Sequence, residues 1–268
     1  MSASAKGFVV AALLLIAALG SGCRPSGEKG RGPANNSNAK TSSAKSDDQG
    51  IIHSDAGEEK EKPATGKANV QGKVLYNDKP AANIEVKLCE KFNQYFGGCS
   101  GQTYTAKTDA KGEYLIKNVP PGIYEALTAK VFDTPYYVFA TSGFVSSAKY
   151  KLEADETFFA PDSNLFKSDL KLVSPKAGAK VGANNIEVKW ESYPDAAYYK
   201  FSINADSSSG AETNYDYINK RVDGTSYVLD KPLAAGSYTC TVTAYNGHDI
   251  KLAESPSDIK FTVSGGGK

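Results

Sequence analysis

From Ala68 to the end of the chain, apolar and polar residues alternate in short runs, with turn-forming residues every eight to twelve or so positions. Period-two patterning at that spacing predicts half-buried strands and an all-β sandwich architecture. Val70, Gly72, Val74 and Tyr76 mark one strand, which Asn77, Asp78 and Pro80 end. Ile84, Val86 and Leu88 share one face of the next. Further strands are expected over Tyr124 to Val131, Tyr136 to Ala140, Ala148 to Leu152 and Leu170 to Leu172. About seven strands in roughly one hundred residues is the size at which a single sandwich core becomes sustainable. Ser174, Pro175 and Gly178 then punctuate the chain, and clean alternation resumes at Ile186, Val188, Trp190 and at Tyr199, Phe201, Ile203. The expectation is two tandem β-sandwich domains, at 67–172 and 173–264, with a short tail at 265–268.

The stretch Thr108 to Tyr124 organises the first half through two turns that bracket one strand. Asp109 and Gly112 make the first: the short Asp side chain bonds nearby backbone, and Gly accepts positive φ. Pro120, Pro121 and Gly122 make the second, because proline fixes φ and cannot donate to a ladder. Thr-Asp-x-x-Gly-x-Tyr followed by Val-Pro-Pro-Gly-x-Tyr resembles the carboxypeptidase regulatory-like domain. That resemblance implies a transthyretin-like sandwich that accompanies enzymes and surface proteins without doing chemistry itself. In the second half Trp190, Pro194, Ala197 and Tyr199, then Leu233, Gly236, Tyr238, Val242 and Ala244, resemble a fibronectin type III domain. The resemblance implies a core tryptophan, and a corner tyrosine at Tyr238 whose hydroxyl bonds backbone. No Arg-Gly-Asp tripeptide occurs, so integrin-type adhesion is not implied. Val119-Pro-Pro-Gly-Ile-Tyr124 and Leu233-Ala-Ala-Gly-Ser-Tyr238 both set Gly two residues before a strand-opening Tyr. The flanking segments share no fixed period, so the reading is convergent turn chemistry and not an internal repeat.

Ahead of the strands, Lys6 precedes an apolar run from Phe8 to Leu19, and Gly20, Ser21 and Gly22 lead into Cys23. Such a run covers only about 18 Å of a hydrocarbon core roughly 30 Å thick, which favours an export signal over a permanent span. The ending resembles the lipobox of bacterial lipoproteins, with Gly20 where Leu is common. This implies a signal peptide over 1–22 and a lipid-modified Cys23, the alternative being an ordinary secretory signal with a chance cysteine. Arg24 after Cys23 implies outer-membrane sorting where the following residue decides it. Residues 23–66 hold almost no large apolar side chains beyond Ile51 and Ile52 and read as a disordered tether.

Of the four cysteines, Cys89 and Cys99 flank a Gly-hinged loop in an exported chain, where disulfides are permissible; the pairing is expected, against two free thiols. Cys240 alternates with Tyr238 and Val242, and so reads as a small buried hydrophobe. His53 and His248 have no acid, base or metal partner nearby in sequence, and no nucleophile, Walker or calcium-loop motif occurs. The formal net charge of +1 gives no field for nucleic acid. No catalytic residue, metal site or cofactor is expected. Tyr95 and Phe96 in the cysteine loop, with Tyr136 and Tyr137, are candidate ligand-contacting aromatics for sugar rings or a protein hot spot, the alternative being edge packing. As consecutive strand residues, Tyr136 and Tyr137 should point to opposite faces, one of them exposed. The sequence therefore reads as a non-enzymatic cell-envelope lipoprotein, held to the membrane by its N-terminal lipid and binding or spacing an envelope protein or polysaccharide. A carbohydrate-binding accessory role in polysaccharide or peptide degradation is the alternative, and a hydrolase stands further back.

Overall fold

The computed structural model describes residues 50–93, 98–140, 148–256 and 259–265. Two apolar cores organise them, one built from Ile52 to Leu165 and the other from Leu170 to Val263. In the first sandwich the strand Ala68–Tyr76 is central. It pairs antiparallel with Lys79–Pro80 and Glu113–Val119, and parallel with Thr157–Phe159 and Ser163–Leu165. The facing sheet runs in the order Gly98–Lys107, Glu85–Asn93, Ala126–Lys130, Tyr137–Phe139. Val70, Val74 and Ile116 from one side meet Val86, Leu88, Leu127 and Val138 from the other, all buried. Each such side chain contributes about 1.5–3 kcal/mol through removal from water.

The turns act as their chemistry requires. Asp109 Oδ1 accepts from the N–H groups of Lys111 and Glu113 at 2.8 and 3.0 Å. Gly112 sits at φ +71°, and a Cβ there would lie 2.5 Å from the carbonyl oxygen of Val74, so no other residue fits. At the same end of the central strand, Asn77 and Asp78 both take positive φ, 52° and 60°. They form a two-residue hairpin turn whose twist suits the flanking strands, and Asn and Asp are the residues that tolerate it.

Three sequence expectations need correction here. Residues 50–66, assigned to the tether, are tied to the first sandwich: Ile51–Ile52 pairs with Lys149–Leu152, and Ile52 is buried. The rest of that segment is held by polar contacts. Phe159 N donates to Ser54 Oγ, Ala64 N to Asn118 Oδ1, and Lys60 bridges Asp109 and Glu113. Hydrophobicity alone missed it, because hydrogen bonds to the sandwich carry the ordering. The predicted strand Leu170 to Leu172 does not close the first sandwich. Leu170 packs in the second core, and Leu172–Ser174 pairs with Glu187–Trp190. Gly98–Lys107, Thr157–Phe159 and Ser163–Leu165 are strands that the alternation did not reveal.

The second sandwich sets the sheet Leu172–Ser174, Glu187–Trp190, Ser226–Val228 against a larger one in the order Ala179–Val181, Lys260–Val263, Gly236–Tyr245, Tyr198–Ala205, Lys220–Val222. Lys251–Glu254 also pairs with Gly236–Tyr245. Trp190 is 2% exposed, with Tyr199 and Phe201 ring centroids 5.4 and 6.4 Å from its own. The connection between the sandwiches is not slack. Lys167 N donates to Leu252 O at 3.0 Å, Glu254 N to Lys167 O at 2.8 Å, and Leu170 N to Glu254 O at 3.2 Å.

Candidate functional site

Three exposed aromatics, Tyr136, Tyr137 and Phe139, lie at the outer face of the first sandwich, on or beside the strand Tyr137–Phe139, while Tyr215 is exposed on the second. Val138 points inward and is buried, so its neighbours Tyr137 and Phe139 must point out, at 39% and 42% exposure. Tyr136 is 63% exposed because it precedes the strand, in a turn where its N–H is donated to Thr134 Oγ1. The expectation that Tyr136 and Tyr137 would divide between faces therefore fails: strand alternation begins one residue later than the sequence indicated. Registers across the sheet bring Phe139 opposite Thr128, Thr128 opposite Lys87, and Lys87 opposite Thr105. The next outward row carries Tyr137 opposite Lys130, and Glu85 opposite Lys107. Lys87 Nζ stands 5.4 Å from the Tyr137 ring centroid, a cation against an aromatic face.

Phe92 extends the aromatic strip, its ring meeting Phe139 edge-on at 5.2 Å. Two features hold that end of the sheet. Cys89 and Cys99 are joined in a disulfide with Cα atoms 5.4 Å apart, as the Gly-hinged loop implied. Glu125 accepts the Phe92 N–H at 2.9 Å, and this bond, with help from Lys91, holds the Glu125 carboxyl below the ordinary range. Tyr95 and Phe96 lie outside the described residues, as does Cys23. Phe92 and Lys87 were not among the sequence candidates, because only the cross-strand register places them beside Tyr137 and Phe139.

A second constellation joins the two sandwiches. The hairpin turn Asn77–Asp78 reaches from the first sandwich into loops of the second. Asn77 Nδ2 donates to Asp195 Oδ2 at 2.7 Å, and Asn246 Nδ2 donates to Asn77 Oδ1 and Asp78 Oδ2 at 2.9 and 3.0 Å. His248 Nδ1 lies 2.7 Å from Asp78 Oδ2. Asn246 is buried, and its Oδ1 accepts the N–H groups of His248 and Ile250, which fixes the loop that meets the turn. Around this contact Tyr193 OH donates to Asp169 Oδ1 at 2.9 Å and lies 3.4 Å from Tyr76 OH. Lys251 Nζ sits 3.6 Å from the Phe166 ring centroid and 2.6 Å from Glu254 Oε2, and burial lowers its pKa against the pull of Glu254. An open cleft of about 430 Å³ borders the turn, lined by Asn77, Asp78, Lys79, Asp195, Asn246 and His248. His248, without a partner nearby in sequence, finds one 170 residues away.

Among the described residues no group of three His, Cys, Asp or Glu side chains is arranged to hold a metal ion. Cys240 is fully buried between sheet neighbours, and burial pushes its thiol up to about 12, which keeps it protonated and unreactive.

No protein-family model matches the chain, and no curated protein matches its sequence. Among solved structures, the full-length major pilin SpaD from Corynebacterium diphtheriae is 11% identical at a TM-score of 0.27, the match covering 73% of this chain and 64% of the pilin. Fibronectin(III)-like modules of Clostridium thermocellum CbhA are 16% identical at 0.27, with 75% and 91% covered. The FN1–FN3 domains of chicken CNTN1 are 15% identical at 0.26, with 76% and 67% covered. Likeness at this level assigns neither a fold family nor a function to the chain.

Proposed function

We propose that the chain is a non-enzymatic, lipid-anchored protein of the bacterial cell envelope whose two β-sandwiches act as one binding and spacing module. The observation that carries this reading is the joint: Asn77 and Asp78 of one sandwich share four side-chain contacts with Asp195, Asn246 and His248 of the other. A chain selected only for flexible linkage has no need of a buried asparagine that organises its own loop and bonds across the junction. The first sandwich is read as carboxypeptidase regulatory-like and the second as fibronectin type III-like. The split of the second into a sheet of Leu172–Ser174, Glu187–Trp190, Ser226–Val228 and a larger one around Gly236–Tyr245 supports the latter.

The lipid on Cys23 anchors the module in the outer membrane or at the cell surface. The polar composition of residues 23–49 suits a spacer between that lipid and the sandwiches. The test is fractionation after expression in a bacterium that acylates lipoproteins. The parent is expected in the detergent phase and sensitive to protease added to whole cells, and Cys23→Ser is expected to be soluble or unprocessed. A Cys23→Ser protein that stays membrane-bound and processed like the parent overturns the anchor.

A further inference from the structure

The aromatic strip of the first sandwich lies in a field of its own charge. On the outward rows of the sheet Gly98–Lys107, Glu85–Asn93, Ala126–Lys130, Tyr137–Phe139, Lys130 stands opposite Tyr137, Lys87 Nζ reaches the Tyr137 ring, Lys107 lies on the far edge strand, and Glu85 is the one carboxylate the two rows contain. Lys87 is shared between Glu85, at 3.6 Å, and the Tyr137 ring. Among the described residues Lys107 and Lys130 have no ion-pair partner. Thr103 and Thr105 stand exposed on the neighbouring strand, offering hydroxyls beside the cations. The face is formed by the strands of the sheet.

We propose that this face binds an anionic polysaccharide, which rests on the reading of the chain as a binding module and names the ligand class for it. Sugar rings present C–H faces that stack on Tyr137 and Phe139, their hydroxyls match Thr103 and Thr105, and ring carboxylates meet Lys87, Lys107 and Lys130. A neutral glycan leaves two unpaired ammonium groups unused. Nucleic acid fits less well: its phosphate density calls for a strong positive field, and the chain carries a formal net charge of +1. An acidic protein segment supplies the charge but not a repeated flat ring for the two aromatics, which lie two residues apart on one strand face.

The test uses the full chain purified in detergent, with polygalacturonate, dextran and a single-stranded oligonucleotide as probes in affinity electrophoresis and calorimetry. Binding to polygalacturonate that weakens as salt rises is expected, with no measurable retardation by dextran. Tyr137→Ala is expected to weaken it about tenfold, and Lys107→Gln with Lys130→Gln to weaken it and flatten the salt dependence. Unchanged thermal melts of these surface variants separate lost binding from lost fold. Absent binding to polygalacturonate, equal binding to dextran, or tighter binding to the oligonucleotide each overturns the inference. Fractionation of the Cys23→Ser variant is independent of these outcomes, so failure of the glycan site and failure of the anchored-module reading are told apart.

Discussion

His248 Nδ1 in the second sandwich lies 2.7 Å from Oδ2 of Asp78, the second residue of a hairpin turn in the first. The pair is one edge of a small network in which the buried Asn246 is the centre. Its amide donates to Asn77 and Asp78, and its carbonyl oxygen collects two backbone N–H groups of its own loop. The two side chains are therefore unequal in energy. Replacing Asn246 with Ala strands two N–H groups and removes both bonds across the joint, so a loss of about 1–3 kcal/mol is expected in urea denaturation. Replacing the more exposed His248 is expected to cost under about 1 kcal/mol. Equal effects from the two substitutions would show that the joint is only a surface contact.

Each sandwich has a tyrosine corner. Tyr124 OH donates to Pro120 O at 2.8 Å, and Tyr238 OH to Ala234 O at 2.9 Å, in both cases four residues back across a Gly turn. Gly122 and Gly236 sit at φ 156° and 147°, which lets the chain bend so the ring can return. Tyr124→Phe and Tyr238→Phe are each expected to cost about 0.5–1.5 kcal/mol with the ring packing kept. Differential scanning calorimetry of each variant checks this, and a hydroxyl that can be removed from both at no cost contradicts the shared role.

Removing the disulfide by Cys89→Ala with Cys99→Ala opens a loop whose ends are 10 residues apart, for an expected loss of about 2–3 kcal/mol by chain entropy. Cys240 behaves oppositely. With its thiol pushed up to about 12 and fully buried, it should resist iodoacetamide at pH 8 until the chain unfolds. Peptide mapping that finds Cys240 labelled in the folded protein refutes its burial.

Asp162 has its carboxyl pKa raised by burial, with Asp55 adding to the rise and Lys73 opposing it. The folded state thus binds its proton more tightly than the unfolded chain does. Stability from this group is present below the unfolded value, about 3.9, and is lost as pH rises through the folded one. Asp162→Asn removes the penalty of the buried charge. The variant is expected to be more stable than the parent at pH 7 and to converge with it near pH 3. A urea midpoint lower than the parent's at pH 7 runs against this sign.

Much of the architecture is legible in the residue pattern. Val70 with Val74, Val86 with Leu88, and Tyr238 through Ala244 face inward as their alternation required, and Trp190 lies in the core. Asp109, Gly112 and Tyr238 hold the local bonds that their residue types indicated. Three kinds of information were not local. Thr157–Phe159 and Ser163–Leu165 are three-residue strands paired in parallel to a distant partner, too short to show a period. Residues 50–66 are ordered by polar contacts, to which hydropathy is blind. The joint and the aromatic face with its lysines depend on register and on the meeting of residues as far apart as Asp78 and His248, which no spacing in the sequence encodes.

The Asn77–Asp78 turn holds the two sandwiches together through its bonds to Asp195, Asn246 and His248. Spin labels on Thr105→Cys and Glu187→Cys, both at exposed strand positions, report the distance between them by pulsed dipolar spectroscopy, with Cys240 buried and the other described cysteines paired. A single narrow distance distribution is expected in the parent background, broadening when Asn77, Asp78 and Asn246 are all replaced by Ala while the melting profile still shows both sandwiches folded. A broad distribution in the parent, unchanged by those substitutions, would contradict the account.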